Sequence, residues 1–230
     1  MQKDVNFLDD IKGKLIVSCQ ALPDEPLHSS FIMGRMAYAA NLAGASGIRA
    51  NSVEDIQEIK RTVDLPIIGI IKSVYDGYEV FITPTMKEID ALYNEGVDMI
   101  ALDATARLRP DGTTIDEIFP EIREKYADQL FMADCATYEE AINAAQLEFD
   151  CVSTTLHGYT SYTKDTIKPN IDMTRKIVRD SSVPVIAEGG IWTPEQLKSL
   201  FDVGVHAAVV GSAITRPMEI TQRFLQAINE

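Results

Sequence analysis

The residues of this chain best suited to do chemistry stand where short apolar runs stop. Lys72 ends PIIGIIK, Asp134 lies near the end of LFMADCA, and Glu188 closes the apolar part of PVIAEGG just before two glycines. Burying an unpaired carboxylate costs several kcal/mol, on the order of the whole stability margin of a domain, so charges placed here need partners or a task. A lysine at the end of an apolar strand, close to the arginine of GIRA (Arg49), has its pKa lowered by desolvation and like charge. A neutral fraction can then act as a general base. The same desolvated lysine is also what imine chemistry needs, so a Schiff-base lyase or aldolase is an alternative.

These residues must be held by elements that recur. The apolar runs are LIVSCQA (15–21), GIRA (47–50), PIIGIIK (66–72), MIALDAT (99–105), LFMADCA (130–136), CVSTTL (151–156), PVIAEGG (184–190) and AAVVGSA (207–213). Stretches with apolar residues three or four apart separate them, such as Glu54 to Arg61, Met86 to Tyr93 and Leu197 to Phe201. Strands buried on both faces that alternate with helices imply a parallel sheet. Their number and the absence of GxGxxG favour a closed (β/α)₈ barrel, an α/β TIM barrel, over an open sheet, and no linker interrupts residues 1–230, so one domain is expected. The third and seventh units are each followed by Thr-Pro (Thr83-Pro84 and Thr193-Pro194), read as helix starts and as a weak half-barrel echo.

Barrels of this type keep their chemistry at the C-terminal strand ends. Those positions are Gln20, Arg49, Lys72, Asp103, Asp134, Thr154 with Thr155, Glu188, and Gly211 with Ser212. Period two puts Lys72 on the face of Ile70 and Ile68, and Asp134 on that of Met132 and Leu130. One strand-terminal carboxylate could merely cap a helix or accept backbone N–H bonds, but a whole ring of polar residues is hard to explain that way. Gly189-Gly190 and Gly211-Ser212, followed by Thr215-Arg216-Pro217 at a helix start, form a phosphate signature, with Arg216 as a bidentate partner. Arg107 and Arg109 of ARLRPDG are read as either phosphate-facing or solvated.

Composition narrows the partners. A net charge of −14 argues against a nucleic-acid surface and requires a local basic patch for any anionic substrate. No apolar stretch approaches the roughly 18 residues of a membrane span, and MQKDVNFLDDIKGK lacks the apolar core of a leader, so a cytoplasmic protein is expected. Cys19, Cys135 and Cys151 have no CxxC spacing and read as free thiols. Asp103, Asp134 and Glu188 could offer oxygens to a metal, but His28, His157 and His206 do not gather at strand ends. The site is therefore read as metal-free, and no cofactor is expected.

The segments LIVSCQALPDEPLHSSFIMGRMA, GIRA, LPIIGIIK, ITPTMKE, MIALDATARLRPDG, MADCAT, CVSTTLHGYTSYT, VIAEGGIWTPEQL and VVGSAITRPMEITQRF resemble, in order, the N-acylmannosamine-6-phosphate 2-epimerase family. The likeness runs from about Gly13 to Phe224. It implies a metal-free (β/α)₈ isomerase that interconverts N-acetylmannosamine 6-phosphate and N-acetylglucosamine 6-phosphate in bacterial sialic acid breakdown, and a homodimer. It makes Lys72 the acid/base and Glu188 its acidic partner. Gln20, Arg49, Asp134 and the GYT of Gly158, Tyr159 and Thr160, with Thr154, are expected to contact sugar, and Arg216 to hold phosphate. Family members often have Glu-Gly-Arg where this chain has Glu188-Gly189-Gly190, and Gly-Gly where it has Gly211-Ser212. Gln20 and Arg49 are candidates to steady an enolate oxygen. The proton returns either from Glu188 or from Lys72 itself. A sugar-phosphate sensor without catalysis is the alternative from outside enzymology. Ile220, Phe224, Leu225 and Ile228 on the last helix are read as serving barrel closure or a partner.

Overall fold

A strand with two apolar faces needs cover on both, and a ring of strands supplies one cover from its own interior and the other from the helices that connect them. The computed structural model, which describes residues 6–229, shows such a ring; residues 1–5, the start of the segment read as lacking a leader, lie outside the described residues. Strands β1 (Leu15–Cys19), β2 (Ile48–Asn51), β3 (Ile67–Ile70), β4 (Met99–Asp103), β5 (Leu130–Asp134), β6 (Cys151–Ser153), β7 (Val185–Glu188) and β8 (Ala207–Val210) pair in parallel, in chain order, and β8 closes on β1. Helix α1 (Asn6–Ile11) precedes the ring. The connections carry α2 (Ser30–Leu42), α3 (Val53–Thr62), α4 (Met86–Glu95), α5 (Ile115–Lys125), α6 (Tyr138–Gln146), α7 (Ile171–Asp180) and α8 (Pro194–Asp202), and α9 (Ser212–Thr215) and α10 (Pro217–Asn229) follow β8. The fold is the TIM barrel expected from the strand count, and each apolar run matches one strand, with β2 extending one residue past GIRA to Asn51.

The core divides by strand period. Ile16, Ile68, Ile70, Met99, Met132, Ile186 and Val209 fill the interior, and Phe7 and Ile11 of α1 close its lower end. The alternate residues, such as Ile48, Ile67, Ile100, Phe131 and Val152, face the helices. Each such side chain, fully buried, contributes about 1.5–3 kcal/mol relative to exposure. Helix starts at the upper rim are set by local sequence. In α4, α6 and α8, Thr85, Thr137 and Thr193 cap the helix, with Glu88, Glu140 and Gln196 returning the bond.

Two expectations change. Thr193-Pro194 begins α8, but Thr83-Pro84 does not begin α4, whose cap is Thr85. Thr83 has φ +47 and is buried, donating to the Ala101 carbonyl. The half-barrel echo is thus one helix start and one buried turn. The last helix also departs from a simple ring. Phe224, Leu225 and Ile228 of α10 are 72%, 53% and 79% exposed, while a groove of about 290 Å³ on the outer wall, lined by Leu15, Val17, Met36, Ala39, Ala43 and Ile214, stays open.

Candidate active site

A cleft of about 190 Å³ opens at the C-terminal rim. Its polar side carries Ser18, Gln20, Lys72, Thr155, Glu188 and Arg216, and its apolar side includes Phe81, Ile82, Leu156 and Val209. Of the residues expected from sequence, Gln20, Lys72, Tyr159, Glu188, Gly189, Gly190, Gly211, Ser212 and Arg216 line it together. Gln20 follows β1 and donates to Ser18 Oγ at 2.8 Å, which leaves its Oε1 buried and without a partner. An orphan acceptor is costly, so it points to a donor that arrives with a ligand.

The floor is a charge cluster built by β2, β5 and β7. Arg49 Nη1 donates to Asp134 Oδ1 at 3.0 Å and to Glu188 Oε2 at 2.8 Å, and its Nη2 reaches Asp134 Oδ2 at 2.5 Å. Arg49 is 1% exposed and Asp134 is fully buried, so both lie beneath the cleft and neither lines it. Burial pulls the Arg49 pKa down, but Asp134 and then Glu188 outweigh it and hold the guanidinium above its ordinary value. Thr155 Oγ1 sits 2.8 Å from Asp134 Oδ1 and 2.8 Å from Glu188 Oε2. A hydroxyl carries one proton, and a protonated Glu188 would supply the second bond. Glu188 is suited to that, since burial, reinforced by Asp134, pushes its pKa up to about 7.

Lys72 stands two residues past β3, fixed by its N–H to Asn51 Oδ1 at 2.8 Å and by an antiparallel bridge to Ile82. Burial lowers its pKa to about 8, with Arg49 and Arg216 adding to the effect. The groups on β3 and β7 stand four strands apart in a ring of eight, on opposite sides of the barrel mouth. The cleft therefore presents a lysine that can be neutral and a carboxyl that can be protonated, both near neutral pH.

The other end of the cleft is backbone. Gly189 and Gly190 turn the chain after β7 with φ +100 and +70, a conformation that favours glycine. A Cβ on Gly211 would come 3.3 Å from that of Ser18. Ser212 starts α9, so the serine is not asked for a left-handed backbone. As expected, Thr215-Arg216-Pro217 stands at the start of the final helix: Arg216 directly precedes Pro217, the first residue of α10, and is held by Glu25 at 3.1 Å and Glu219 at 2.6 Å.

Several expected contacts lie outside the lining. Thr154 clamps β7, donating to the Glu188 carbonyl at 2.8 Å and accepting from its N–H at 3.1 Å. Thr160 bonds to Thr163, and Gly158 packs under Lys168. His157 is held by the Ala136 carbonyl and Asn170. Arg109 is neither phosphate-facing nor solvated: it is 1% exposed and donates to the carbonyls of Pro84, Asp103 and Thr83. Arg107 pairs with Asp103 at 2.7 Å. Among the described residues, no three or more His, Cys, Asp or Glu are grouped so as to hold a metal ion. Sequence reasoning did not single out Ser18, Phe81, Ile82, Trp192 or Thr215 as lining residues. Ser18 was within reach, because period two from Ile16 points it inward; Phe81, Ile82 and Trp192 sit on loops that no periodicity predicts, and Thr215 ends the short α9.

Comparison with known proteins adds independent findings. The NanE family model, described as "Putative N-acetylmannosamine-6-phosphate epimerase", matches residues 33–230. A Clostridioides difficile protein named "Putative N-acetylmannosamine-6-phosphate 2-epimerase" is 55% identical over 222 residues, 96% of this chain and 99% of its own. A protein of the same name from Caldanaerobacter subterraneus is 50% identical over 230 residues, 100% of this chain and 96% of its own. A solved structure of the N-acetylmannosamine-6-phosphate 2-epimerase from Clostridium perfringens is 55% identical, with a TM-score of 0.91 over 96% of this chain and 95% of that one.

Proposed function

Since the chain belongs to the N-acetylmannosamine-6-phosphate epimerase family, we propose that its cleft interconverts N-acetylmannosamine 6-phosphate and N-acetylglucosamine 6-phosphate by moving the proton on C2. The observation that carries this reading is the pair in one cleft, Lys72 with a pKa near 8 and Glu188 with one near 7. The hydrogen on C2 of a 2-acetamido sugar is acidic only when C1 is an aldehyde, because its removal then leaves charge on oxygen. The reacting species is the open chain. Neutral Lys72 takes the proton, and the remaining Nε2–H of Gln20 bonds the developing oxygen, a preorganised role typically worth ~3 kcal/mol per donor, while its Oε1 accepts from a sugar hydroxyl.

Arg49 and Asp134, both beneath the floor, act as positioning residues. Together they hold Glu188 in place, and the Arg49 charge, added to burial, keeps Lys72 partly neutral. The phosphate lies against Gly189, Gly190, Gly211 and Ser212, where exposed backbone N–H groups and Arg216 can meet it. No nucleic acid or membrane partner belongs to this reading; no described helix is long and apolar enough to cross a membrane. Three buried free cysteines suit a reducing, cytoplasmic setting. A homodimer completes it: the apolar face of α10 and the open groove beside β1 are two surfaces of matching character on one chain. Sedimentation is expected to show a dimer that weakens when residues 217–230 are removed; a monomer at micromolar concentration would count against it.

Proton NMR with N-acetylmannosamine 6-phosphate in D₂O and EDTA tests the chemistry. Growth of N-acetylglucosamine 6-phosphate carrying deuterium at C2 is expected, and an unchanged sugar phosphate would overturn the reading. Glu188→Gln in the same assay separates the two ways of returning the proton. Exchange at C2 without epimerisation assigns the return to Glu188, whereas slowed but complete epimerisation assigns it to Lys72.

A further inference from the structure

We infer that Lys168, in the loop between β6 and α7, is a phosphate-binding residue of this cleft, supplying an uncompensated positive charge that Arg216 lacks; this rests on the sugar-phosphate reading above. The chain carries a net charge of −14, and Arg49, Arg107 and Arg216 are already matched. Arg49 faces Asp134 and Glu188, Arg107 faces Asp103 and Glu79, and Arg216 faces Glu25 and Glu219. A dianion that met only these groups would meet more carboxylates than guanidinium groups. Lys72 has no carboxylate partner among the described residues, but its place is at the reacting carbon.

Lys168 also makes no ion pair among the described residues. Its Nζ lies 3.3 Å from the Gly158 carbonyl and 4.0 Å from the centroid of the Tyr159 ring. Neither contact cancels its charge, although the ring face is a favourable resting place for a cation. Tyr159 and Gly190 both line the cleft, and Lys168 touches both. A Cβ on Gly190 would stand 2.3 Å from the Lys168 Cβ and 3.1 Å from its carbonyl carbon, and one on Gly158 would stand 2.3 Å from its Cδ. The lysine stem therefore passes between two glycines, and only the absence of side chains there lets it approach. Gly190 thus places the lysine beside the same backbone that forms the phosphate end. Lysine's flexible four-carbon stem lets Nζ leave the Tyr159 ring for an anion at Gly189–Gly190 without moving the backbone.

The test measures binding and turnover separately. Calorimetry of wild-type protein and Lys168→Met with inorganic phosphate reads the site without any reaction, and steady-state kinetics with N-acetylmannosamine 6-phosphate reads KM and kcat. The expected result is a roughly tenfold rise in both the phosphate Kd and KM, the effect of losing one charge-assisted bond, with kcat held within about twofold. Lys168→Arg, which keeps the charge, is expected to recover most of the affinity. Unchanged Kd and KM would overturn the assignment, as would a fall in kcat alone. If Lys168→Met melts early, the same titration with Lys168→Gln decides: a weakened phosphate Kd supports the role and an unchanged one removes it. Wild-type protein that binds phosphate through Lys168 but leaves the sugar unchanged would refute the epimerisation while keeping the site.

Discussion

Of the arginine–carboxylate clusters at the rim of this barrel, two are built around a fully buried arginine, and only one of these two underlies the cleft. Arg49 with Asp134 and Glu188 forms the floor under Lys72 and Gln20; Arg109 and Arg107 gather around Asp103 at the end of β4. Both are buried, with Arg49 and Arg109 each 1% exposed. The difference is in what is left unsatisfied. Around Asp103, Thr105 and Arg107 bond to the carboxylate, and Arg109 spends its donors on three carbonyls. Around Glu188, Arg49 Nε and Gln20 Oε1 have no partner among the described residues, and Lys72 has its charge discouraged by burial and by Arg49. A saturated cluster holds loops, whereas one with spare capacity can receive a ligand.

Substitutions can break this contrast. The largest effect is expected for Lys72→Ala, which should lower the rate of C2 exchange in D₂O by about 10³-fold while phosphate affinity survives, in line with loss of a general base. Substantial residual exchange would remove lysine from the mechanism. Arg109→Ala should act on stability instead. Leaving three buried carbonyls short of a donor is expected to cost ~3 kcal/mol or more by denaturant unfolding, with kcat per folded molecule within about twofold of wild type. A selective loss of kcat there would join the two clusters functionally.

A smaller effect sharpens the comparison through pH. The Lys72 pKa is lowered in the folded protein from its ordinary 10.5 to about 8, so between these values the unfolded chain binds more protons and stability rises with pH. Below pH 8 the cost of the buried charge is fully present. Lys72→Met is therefore expected to be more stable than wild type at pH 7 by ~1–3 kcal/mol, a gain that shrinks as pH rises toward 10.5 and that thermal melts at several pH values would read. Wild-type kcat/KM should rise with pH through the same region, since neutral lysine is the base. A flat profile between pH 6 and 9 would place the base elsewhere.

Much of this contrast was legible in the sequence, but not all of it. Lys72 and Glu188 could be singled out because an apolar strand that ends in a charge is rare and costly, and the glycines after β7 and β8 marked the phosphate end. Arg107 and Arg109 were not resolved, because a loop sequence such as ARLRPDG has no periodicity to say which way its side chains turn. Arg49 and Asp134 were recognised as polar strand ends, yet strand period does not reveal that each would occupy the other beneath the floor. Thr154 and Thr155 show the same limit: adjacent residues face opposite ways, so one clamps β7 and the other meets the cleft.

The sequence by itself determined the eight apolar runs, their two-sided burial, the helix caps and so the barrel, because strand and helix periods and capping bonds are local properties of residues a few positions apart. It also determined which charges would stand at the rim. Only the tertiary structure decided which of those charges neutralise one another, which acceptor is left without a donor, and which lysine lies across two glycines. Those outcomes depend on distances between groups as far apart in the chain as Arg49 and Glu188, and no local pattern carries them.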